Sequence, residues 1–209
     1  MNDASHSDPA HQCRPLILGS SSKYRKELLS RLQWPFECVS PDIDESPHQN
    51  EAPLDLSLRL AQEKAKHVSM LHPRAIVIGS DQVADLHGQP LGKPLSHEKA
   101  RAQLSEMSGQ TVMFHTSVCV CCQESGFSQS FVSSVKVVFK VLTPQMIESY
   151  LQKDKPYDCA GSAKSESLGV ALLERIESDD PSALVGLPLI QTTSLLAKAG
   201  LDVLSSPHP

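Results

Sequence analysis

The sequence has no long hydrophobic run, no excess of positive charge and no regular framework of cysteines. No apolar stretch approaches the roughly 20 residues that a helix needs to cross a bilayer, so we expect no membrane partner. The formal net charge is −5, whereas a nonspecific nucleic-acid binder carries a basic stripe. We therefore predict that the protein binds neither membranes nor nucleic acid, and that any phosphate site is a local cluster of cations on an acidic body.

The six cysteines do not have the spacing of a disulfide or zinc framework. Cys119 and Cys122 show C-x-x-C spacing, but they lie in an apolar run that is typical of a strand. Side chains three residues apart on a strand point to opposite faces, so this pair cannot hold one metal ion together. We interpret the cysteines as reduced, small apolar residues.

Length and composition are ordinary for a soluble globular protein. The 209 residues are 40% hydrophobic and 21% charged, enough for one sizeable α/β domain or two small lobes with a real core. Residues 1–14 are polar and lack the apolar core of a signal peptide. We predict a disordered extension over 1–14, a single domain over 15–209 and a cytoplasmic location.

The order of the expected elements favours a mixed-sheet α/β fold with two lobes, because strand–helix alternation at both ends surrounds a β-rich middle. We expect helices over about 22–34, 54–70, 144–152 and 189–198, and one more helix that Ser96 caps. We expect a first strand that begins at Leu16 and further strands over 36–39, 75–78, 111–122 and 131–142. Residues 86–93 are expected to form a hairpin or a loop.

The segment 16–29, LILGSSSKYRKELL, carries the strongest functional signal. It indicates a short buried strand, a Gly/Ser turn and a helix whose first turn holds three cations. Free N–H groups at a helix start, serine hydroxyls and clustered Lys and Arg are typical of a phosphate site.

Two charged residues interrupt apolar patterns. Asp81 follows the run Ile76–Gly79, so we place it at the carboxyl end of a buried strand, where open α/β sheets collect catalytic groups; the alternative is an Asp that caps the next turn. Lys64 shares the apolar stripe of the helix over 54–70, so its ammonium either reaches solvent along that face or meets an anion. Gly79 permits a close approach of backbone or ligand.

Further polar residues lie in loops. Lys93 sits between Gly92 and Pro94, and Lys164 and Glu166 belong to a Gly/Ser-rich loop; a solvated loop is the alternative for all three. Asp44 and Glu45 are metal ligands or simply part of a polar loop. Taken together, the cations, hydroxyls and carboxylates indicate a site for a polyphosphate with a divalent metal ion.

These residues give the chain a family resemblance. It resembles the Maf-like nucleoside triphosphate pyrophosphatases, and most of all their YceF-type subgroup, which hydrolyses 7-methyl-GTP. Five segments between about Leu16 and Leu201 carry the resemblance: GSSSKYRKELL, PDIDESP, LRLAQEKA, IVIGSDQVADLHGQPLGKP, and CAGSAKSESLG followed by DPSALVGLPL.

The resemblance implies a Maf-type mixed sheet with flanking helices, two lobes around a deep nucleotide-binding cleft, and often a homodimer. It implies release of pyrophosphate from a nucleoside triphosphate with Mg²⁺ or Mn²⁺. By position it assigns the general base to Asp81, metal-side carboxylates to Glu45 and Asp81, phosphate-side groups to Ser20, Ser22, Arg25, Lys64, Lys93 and Lys164, and base selection to Tyr24, Gln82 and Glu166.

The helix start departs from the family pattern S-x-S-P-W-R-R. Lys23 replaces proline, Lys26 replaces the last arginine and Tyr24 replaces tryptophan, while Arg25 is retained. Cationic 7-methylguanine is attracted to an aromatic face, so Tyr24 is a candidate reader of the base; its alternative role is packing alone.

Two other functions compete. One is a Maf-type enzyme of the other subgroup, acting on dTTP, UTP or modified pyrimidine nucleotides; Tyr24 and Glu166 argue against it. The other is a nucleotide-binding regulator of cell division without significant catalysis. The retention of Asp81 with Lys64 and Lys93 favours an active enzyme, because a pure binder has no need of a base.

Overall fold

A seven-stranded mixed sheet with helices on both faces organises the computed structural model, which describes residues 14–205. The strands are β1 (Leu16–Gly19), β2 (Glu37–Cys38), β3 (Ile76–Leu86), β4 (Gln89–Leu91), β5 (Thr111–Cys122), β6 (Phe127–Phe139) and β7 (Leu173–Glu177); the helices are α1 (Lys23–Ser30), α2 (Pro53–Leu71), α3 (His97–Met107), α4 (Pro144–Asp154) and α5 (Leu189–Lys198). The expected mixed α/β architecture is confirmed.

The sheet changes from parallel to antiparallel at β3, and this change creates an opening. The strand order is β2-β1-β3-β5-β6-β7, with β4 paired to β3. On one edge of β3, the parallel strand β1 is paired only as far as Gly79, which faces Gly19. On the same edge, the antiparallel strand β4 is paired with β3 only from Ala84 onward. Residues 80–83 therefore have β5 on one side and, among the described residues, no strand on the other.

Asp81 lies in this opening and not at the end of its strand. The sequence predicted a strand over 75–78 with Asp81 just beyond it, whereas β3 continues to Leu86. The strand extends because β5 pairs with it as far as Asp85. The prediction was wrong about the strand end, but Asp81 does lie just past the end of the parallel pairing.

The two largest apolar cores lie in the two expected lobes. One core joins α1 and α5 to β1 and the first half of β3, with Leu28, Leu29 and Leu196 fully buried. The other joins α3 and α4 to the first residues of β5 and the last residues of β6, around Phe139 and Leu151. The long strands β3, β5 and β6 cross both lobes, so the lobes share one sheet.

Helix α2 lies on the opposite face of the sheet, unusually close to β3. A Cβ atom at Gly79 would collide with the main chain of Ala61 and Ala65. The expected close approach at Gly79 is therefore made by the backbone of α2. It brings Lys64 of the helix against Asp81 of the strand.

Several boundaries differ from the prediction. Helix α1 ends at Ser30 instead of residue 34, because Gln33 takes a left-handed φ of 55° and Trp34 precedes a proline, which disfavours helix. Strand β6 begins at Phe127, not Phe131, since its polar first residues still pair with β5. By contrast, β5 and α5 have the expected bounds, and Ser96 caps α3 as expected.

The remaining predictions concern the chain start and the cysteines. Of the predicted extension over 1–14, Arg14 is described and pairs with Glu124 at 2.8 Å; residues 1–13 lie outside the described part. Cys119 and Cys122 of β5 belong to cores on opposite faces of the sheet, as expected. No helix between residues 14 and 205 is long and apolar enough to span a bilayer.

Candidate active site

A cleft of about 680 Å³ opens beside residues 80–83 of β3, a volume suited to a nucleotide-sized ligand. Ten of the eleven residues predicted for the site line this cleft: Ser20, Ser22, Tyr24, Arg25, Glu45, Lys64, Asp81, Gln82, Lys93 and Glu166. Lys164 does not line it. The structure thus brings together residues that are far apart in the sequence.

A buried ammonium joins the two predicted metal-side carboxylates. Lys64 Nζ lies 2.7 Å from Asp81 Oδ1 and 3.0 Å from Glu45 Oε1. Lys64 is 4% exposed and Asp81 7% exposed, so the lysine meets an anion instead of reaching solvent. Asp81 pairs with this lysine instead of capping a turn. Buried charges of this kind need such partners, because desolvation alone is costly.

The turn before α1 places a second cation beside Asp81. Ser22 caps the helix by accepting the Arg25 N–H, and Ser20 Oγ accepts the Ser22 N–H at 3.1 Å. The Arg25 guanidinium donates to the Gly186 carbonyl at 2.9 Å and lies 4.0 Å from Asp81 Oδ1. Burial lowers the pKa of Arg25, and the charges of Asp81 and Glu45 oppose that shift.

The loop that presents Gly186 is held by a buried carboxylate that sequence reasoning missed. Asp180 is 4% exposed and accepts the N–H groups of Ser182 and Ile190, each at 2.8 Å. The latter contact caps α5. The signal available in the sequence was the Asp-Pro-Ser turn directly before the last helix.

Gln82 is engaged with the same loop. Its Nε2 donates to the carbonyls of Ala183 and Leu184 and to Thr116 Oγ1, at 2.9–3.1 Å. The donor side of the amide therefore contacts the protein, and Oε1 is the side that a ligand can use.

The other end of the cleft is built around Asp158, which sequence reasoning also missed. The Tyr24 hydroxyl donates to both Asp158 oxygens at 3.1–3.2 Å, and Lys23 Nζ lies 3.2 Å from the same carboxylate. Lys23 Nζ is also 4.9 Å from the centroid of the Tyr24 ring. Asp158 lies four residues after the end of α4, at the start of the Gly/Ser-rich loop over 158–169. That position was the only signal in the sequence.

These contacts shift three pKa values. Burial raises the pKa of Tyr24, and hydrogen bonds to Cys159 and Asp158 add to the shift, so the phenol remains a donor. Burial raises the pKa of Cys159 to about 11. Burial opposes but does not cancel the hydrogen bonds from Lys23 and Tyr24, which lower the pKa of Asp158.

Lys164 lies behind Asp158 and is not part of the cleft lining. Its Nζ donates to the Asp154 carbonyl at 3.1 Å and lies 3.8 Å from Asp158 Oδ1. The contact with Asp154 satisfies the carboxyl end of α4, where a cation is favourable. In this arrangement Lys164 reaches the site only through Asp158, while Lys93 and Glu166 lie exposed at the cleft wall.

The charge pattern of the cleft suits a metal–polyphosphate. Four cationic and four acidic side chains line it, so the site has no positive excess to offset a triphosphate. Within residues 14–205, no group of three or more His, Cys, Asp or Glu is arranged to hold a metal ion. Mg²⁺ is commonly bound through one or two carboxylates and substrate phosphates, and Glu45 with Asp81 fits that donor set.

Comparison with known proteins supplies an independent result. Residues 15–199 match the family model described as "Maf-like protein". The chain is 57% identical over 198 residues to a protein of Polaromonas sp., covering 94% of this chain and 90% of that one. It is 54% identical to a protein of Albidiferax ferrireducens (92% and 97% covered) and 51% identical to one of Bordetella pertussis (93% and 96% covered).

All three relatives are named 7-methyl-GTP pyrophosphatase. A solved structure of a HAM1 protein from Coxiella burnetii overlaps 61% of this chain and 73% of its own, at 14% identity and a TM-score of 0.43; so weak an overlap carries no argument. The family match spans nearly the whole described chain, and the relatives are covered almost end to end. The chain therefore belongs to the Maf-like protein family.

Proposed function

We propose that this protein is a nucleoside triphosphate pyrophosphatase that hydrolyses 7-methyl-GTP to 7-methyl-GMP and pyrophosphate. The observation that carries the proposal is the Lys64 ammonium, held between Asp81 and Glu45 in a nucleotide-sized cleft. The names of relatives at 51–57% identity support the choice of substrate.

We assign the attack to a water that Asp81 orients toward the α-phosphorus. Lys64 and Arg25 both contact Asp81 through Oδ1, so we assign proton acceptance to Oδ2. The water oxygen bonds to the α-phosphorus, its proton passes to the carboxylate, and the bond to the bridging oxygen breaks. Pyrophosphate leaves with that electron pair.

Cations fixed in the cleft stabilise the charge that moves onto the leaving group. Lys64 is held by its contacts with Asp81 and Glu45, Arg25 by its bond to the Gly186 carbonyl, and Lys93 adds an exposed charge to the cleft lining. The hydroxyls of Ser20 and Ser22 accept N–H groups of the protein, and each can donate its own proton to one phosphate. A divalent metal ion held by Glu45 and Asp81 would supply further charge neutralisation to the phosphates.

We assign base selection to the end of the cleft built by Tyr24, Asp158 and Glu166. The methylated guanine carries a positive charge, which an aromatic face and nearby carboxylates attract. Glu166 is suited to accept hydrogen bonds from the N1–H and 2-amino group of guanine. The Lys23 ammonium lies 4.9 Å from the centroid of the Tyr24 ring, so this ring is placed to contact a cation.

The decisive experiment measures pyrophosphate and phosphate separately from a panel of 7-methyl-GTP, GTP, dTTP and UTP, with Mg²⁺, with Mn²⁺ and with a chelator. We expect metal-dependent pyrophosphate release, fastest with 7-methyl-GTP. Reaction in ¹⁸O-labelled water should place the label in the monophosphate. Preference for dTTP or UTP would instead assign the protein to the other subgroup, and binding without turnover would favour a regulator.

Two further predictions accompany this function. A cytoplasmic location agrees with a nucleotide substrate, and fractionation of cells tests it. A homodimer is expected from the family resemblance, and light scattering during gel filtration measures the mass directly.

A further inference from the structure

The loop that carries Glu45 has no regular structure of its own. Residues 39–52 connect β2 to α2 without helix or strand. The Glu45 side chain is 53% exposed, yet its carboxylate meets the buried Lys64 at 3.0 Å. Holding an exposed side chain of an irregular loop in one place costs conformational entropy, so some other contact must hold the loop.

Arg59 makes that contact from the first half of α2. Its Nε and Nη2 bind the two oxygens of Glu51 at 2.6 and 2.8 Å, and Nη2 also donates to the Ser46 carbonyl at 3.0 Å. One planar guanidinium therefore binds the loop at two points, Ser46 directly after Glu45 and Glu51 near the end of the loop. A bidentate pair of this kind is both strong and geometrically specific.

We call the contacts of Arg59 with Glu51 and with the Ser46 carbonyl the loop clamp. This clamp is largely shielded from solvent, and further hydrogen bonds support it. The side chains of Arg59 and Glu51 are only 17% and 9% exposed. Glu51 also accepts the His48 N–H at 2.9 Å, and Asp44 accepts the Ser46 N–H at 2.9 Å. These bonds give the loop a fixed internal shape, which Arg59 attaches to the helix.

The same helix also carries Lys64, five residues further on. Because α2 is seated on β3 at Gly79, the position of Arg59 is set relative to Asp81 as well. Helix α2 therefore fixes the positions of the loop, of Lys64 and of β3 relative to one another. We infer that Arg59 is a positioning residue of the active site, which acts through Glu51 and Ser46 to hold the Glu45 carboxylate at Lys64; the inference rests on the proposed function.

An epistasis experiment tests this role. Arg59→Lys keeps the charge but removes the bidentate grip, and we expect a ~10–100-fold rise in the Mg²⁺ concentration for half-maximal activity, the size typical of lost support around a metal ligand. In a Glu45→Gln background the same substitution should change activity less than about twofold, because the group it positions is already gone. Equal losses in both backgrounds would overturn the inference.

Two further variants separate positioning from simple destabilisation. Glu51→Gln breaks the grip from the loop side and should reproduce the Arg59→Lys effect, which keeps the test available if Arg59→Lys folds poorly. Glu63→Gln is the matched control: Glu63 contacts Arg59 Nη1 at 3.1 Å from within α2, so its loss leaves the loop attached. A Glu63→Gln loss equal to that of Glu51→Gln would contradict the proposal.

Amide hydrogen exchange provides a readout that needs no activity. Amides of residues 40–50 should exchange faster in Arg59→Lys and Glu51→Gln than in the wild-type protein and Glu63→Gln. Unchanged exchange would refute the clamp itself. If no nucleotide of the panel is hydrolysed, the proposed function fails, while the exchange result still decides whether Arg59 holds the loop.

Discussion

The two ends of the cleft are built in different ways. At the end that contains Asp81, Lys64 on α2 and Asp81 on β3 are buried, and Lys64 makes ion pairs of 2.7 Å to Asp81 and 3.0 Å to the more exposed Glu45. At the end that contains Tyr24 and Asp158, the pairs are longer and more exposed; the Lys23 and Asp158 side chains are 64% and 48% exposed.

We propose that the Asp81 end determines the rate of the reaction and that the Tyr24 end determines the choice of nucleotide. Groups that stabilise a transition state must be preorganised in a shielded site, and regular elements with close packing provide this. Groups that distinguish bases contribute smaller energies and can lie on loops. We therefore expect substitutions at the Asp81 end to change turnover for every nucleotide, and substitutions at the Tyr24 end to change the ratio between nucleotides.

The largest effect is expected from Asp81→Asn. Loss of the proposed base should lower kcat by ~10²–10⁴-fold for 7-methyl-GTP and GTP alike, measured as pyrophosphate release. Thermal unfolding should show that the variant remains folded, and Lys66→Ala, at an exposed position on α2 outside the cleft lining, serves as a control with unchanged activity. Turnover within a factor of a few of the wild-type value would remove Asp81 from its assigned role.

Gly79→Ala tests the rigidity of the Asp81 end. The added methyl group collides with the main chain of α2, so the free energy of unfolding should fall by about 1–3 kcal/mol, the usual cost of overpacking. Turnover should fall with every nucleotide, because Lys64 moves relative to Asp81. At Gly92 a Cβ atom meets nothing within 4 Å, and Gly92→Ala should leave stability unchanged in denaturant titrations.

Tyr24 tests the selective end. Tyr24→Ala should lower kcat/KM for 7-methyl-GTP more than for GTP, by about 2- to 30-fold, because a cation–π contact contributes ~0.5–2 kcal/mol. Tyr24→Phe keeps the ring and loses the bond to Asp158, so it should retain most of the discrimination. Equal losses on both nucleotides would reduce Tyr24 to a packing residue.

The smallest effect concerns acid stability of the loop clamp. A hydrogen bond from Arg59, opposed by burial, lowers the pKa of Glu51 to about 2, below its usual value of roughly 4.3. The pair therefore contributes stability above about pH 5, and that contribution is lost as the pH falls toward 2. Urea titrations should show wild-type protein more stable than Glu51→Gln at pH 7 and a shrinking difference at pH 3; a constant difference would contradict this.

Much of the fold could be predicted because it depends on local patterns. The apolar runs of β5 and α5 end at clear turn signals, and their bounds were correct. The Ser96 cap and the lysine in the apolar stripe of α2 were visible for the same reason. The end of β3 could not be predicted, since its continuation past Ile78 to Asp85 depends on pairing with β5, which at that end lies some thirty residues away in the chain.

The site was predicted in part, and its assigned roles remain predictions. Residue type and position singled out Asp81 and Lys64, the family resemblance singled out Glu45, and the structure brings these three together. Asp158 and Asp180 were missed because single acids at the start of polar loops resemble solvated surface. Lys164 was expected at the phosphates but caps α4, a contact that depends on how the loop returns to that helix.

By itself, the sequence determined the elements and their chemistry: a strand, a serine turn and a cationic helix start, a lysine in an apolar stripe, and an acid beside a buried strand. Capping, side-chain periodicity and burial cost act over a few residues, so they are legible in the chain. Only the tertiary structure decided that β1 ends and β4 begins on either side of Asp81, that α2 lies close enough for Lys64 to bridge two carboxylates, and that Arg59 holds the loop of Glu45. Such contacts arise from packing between distant segments, which no local pattern records.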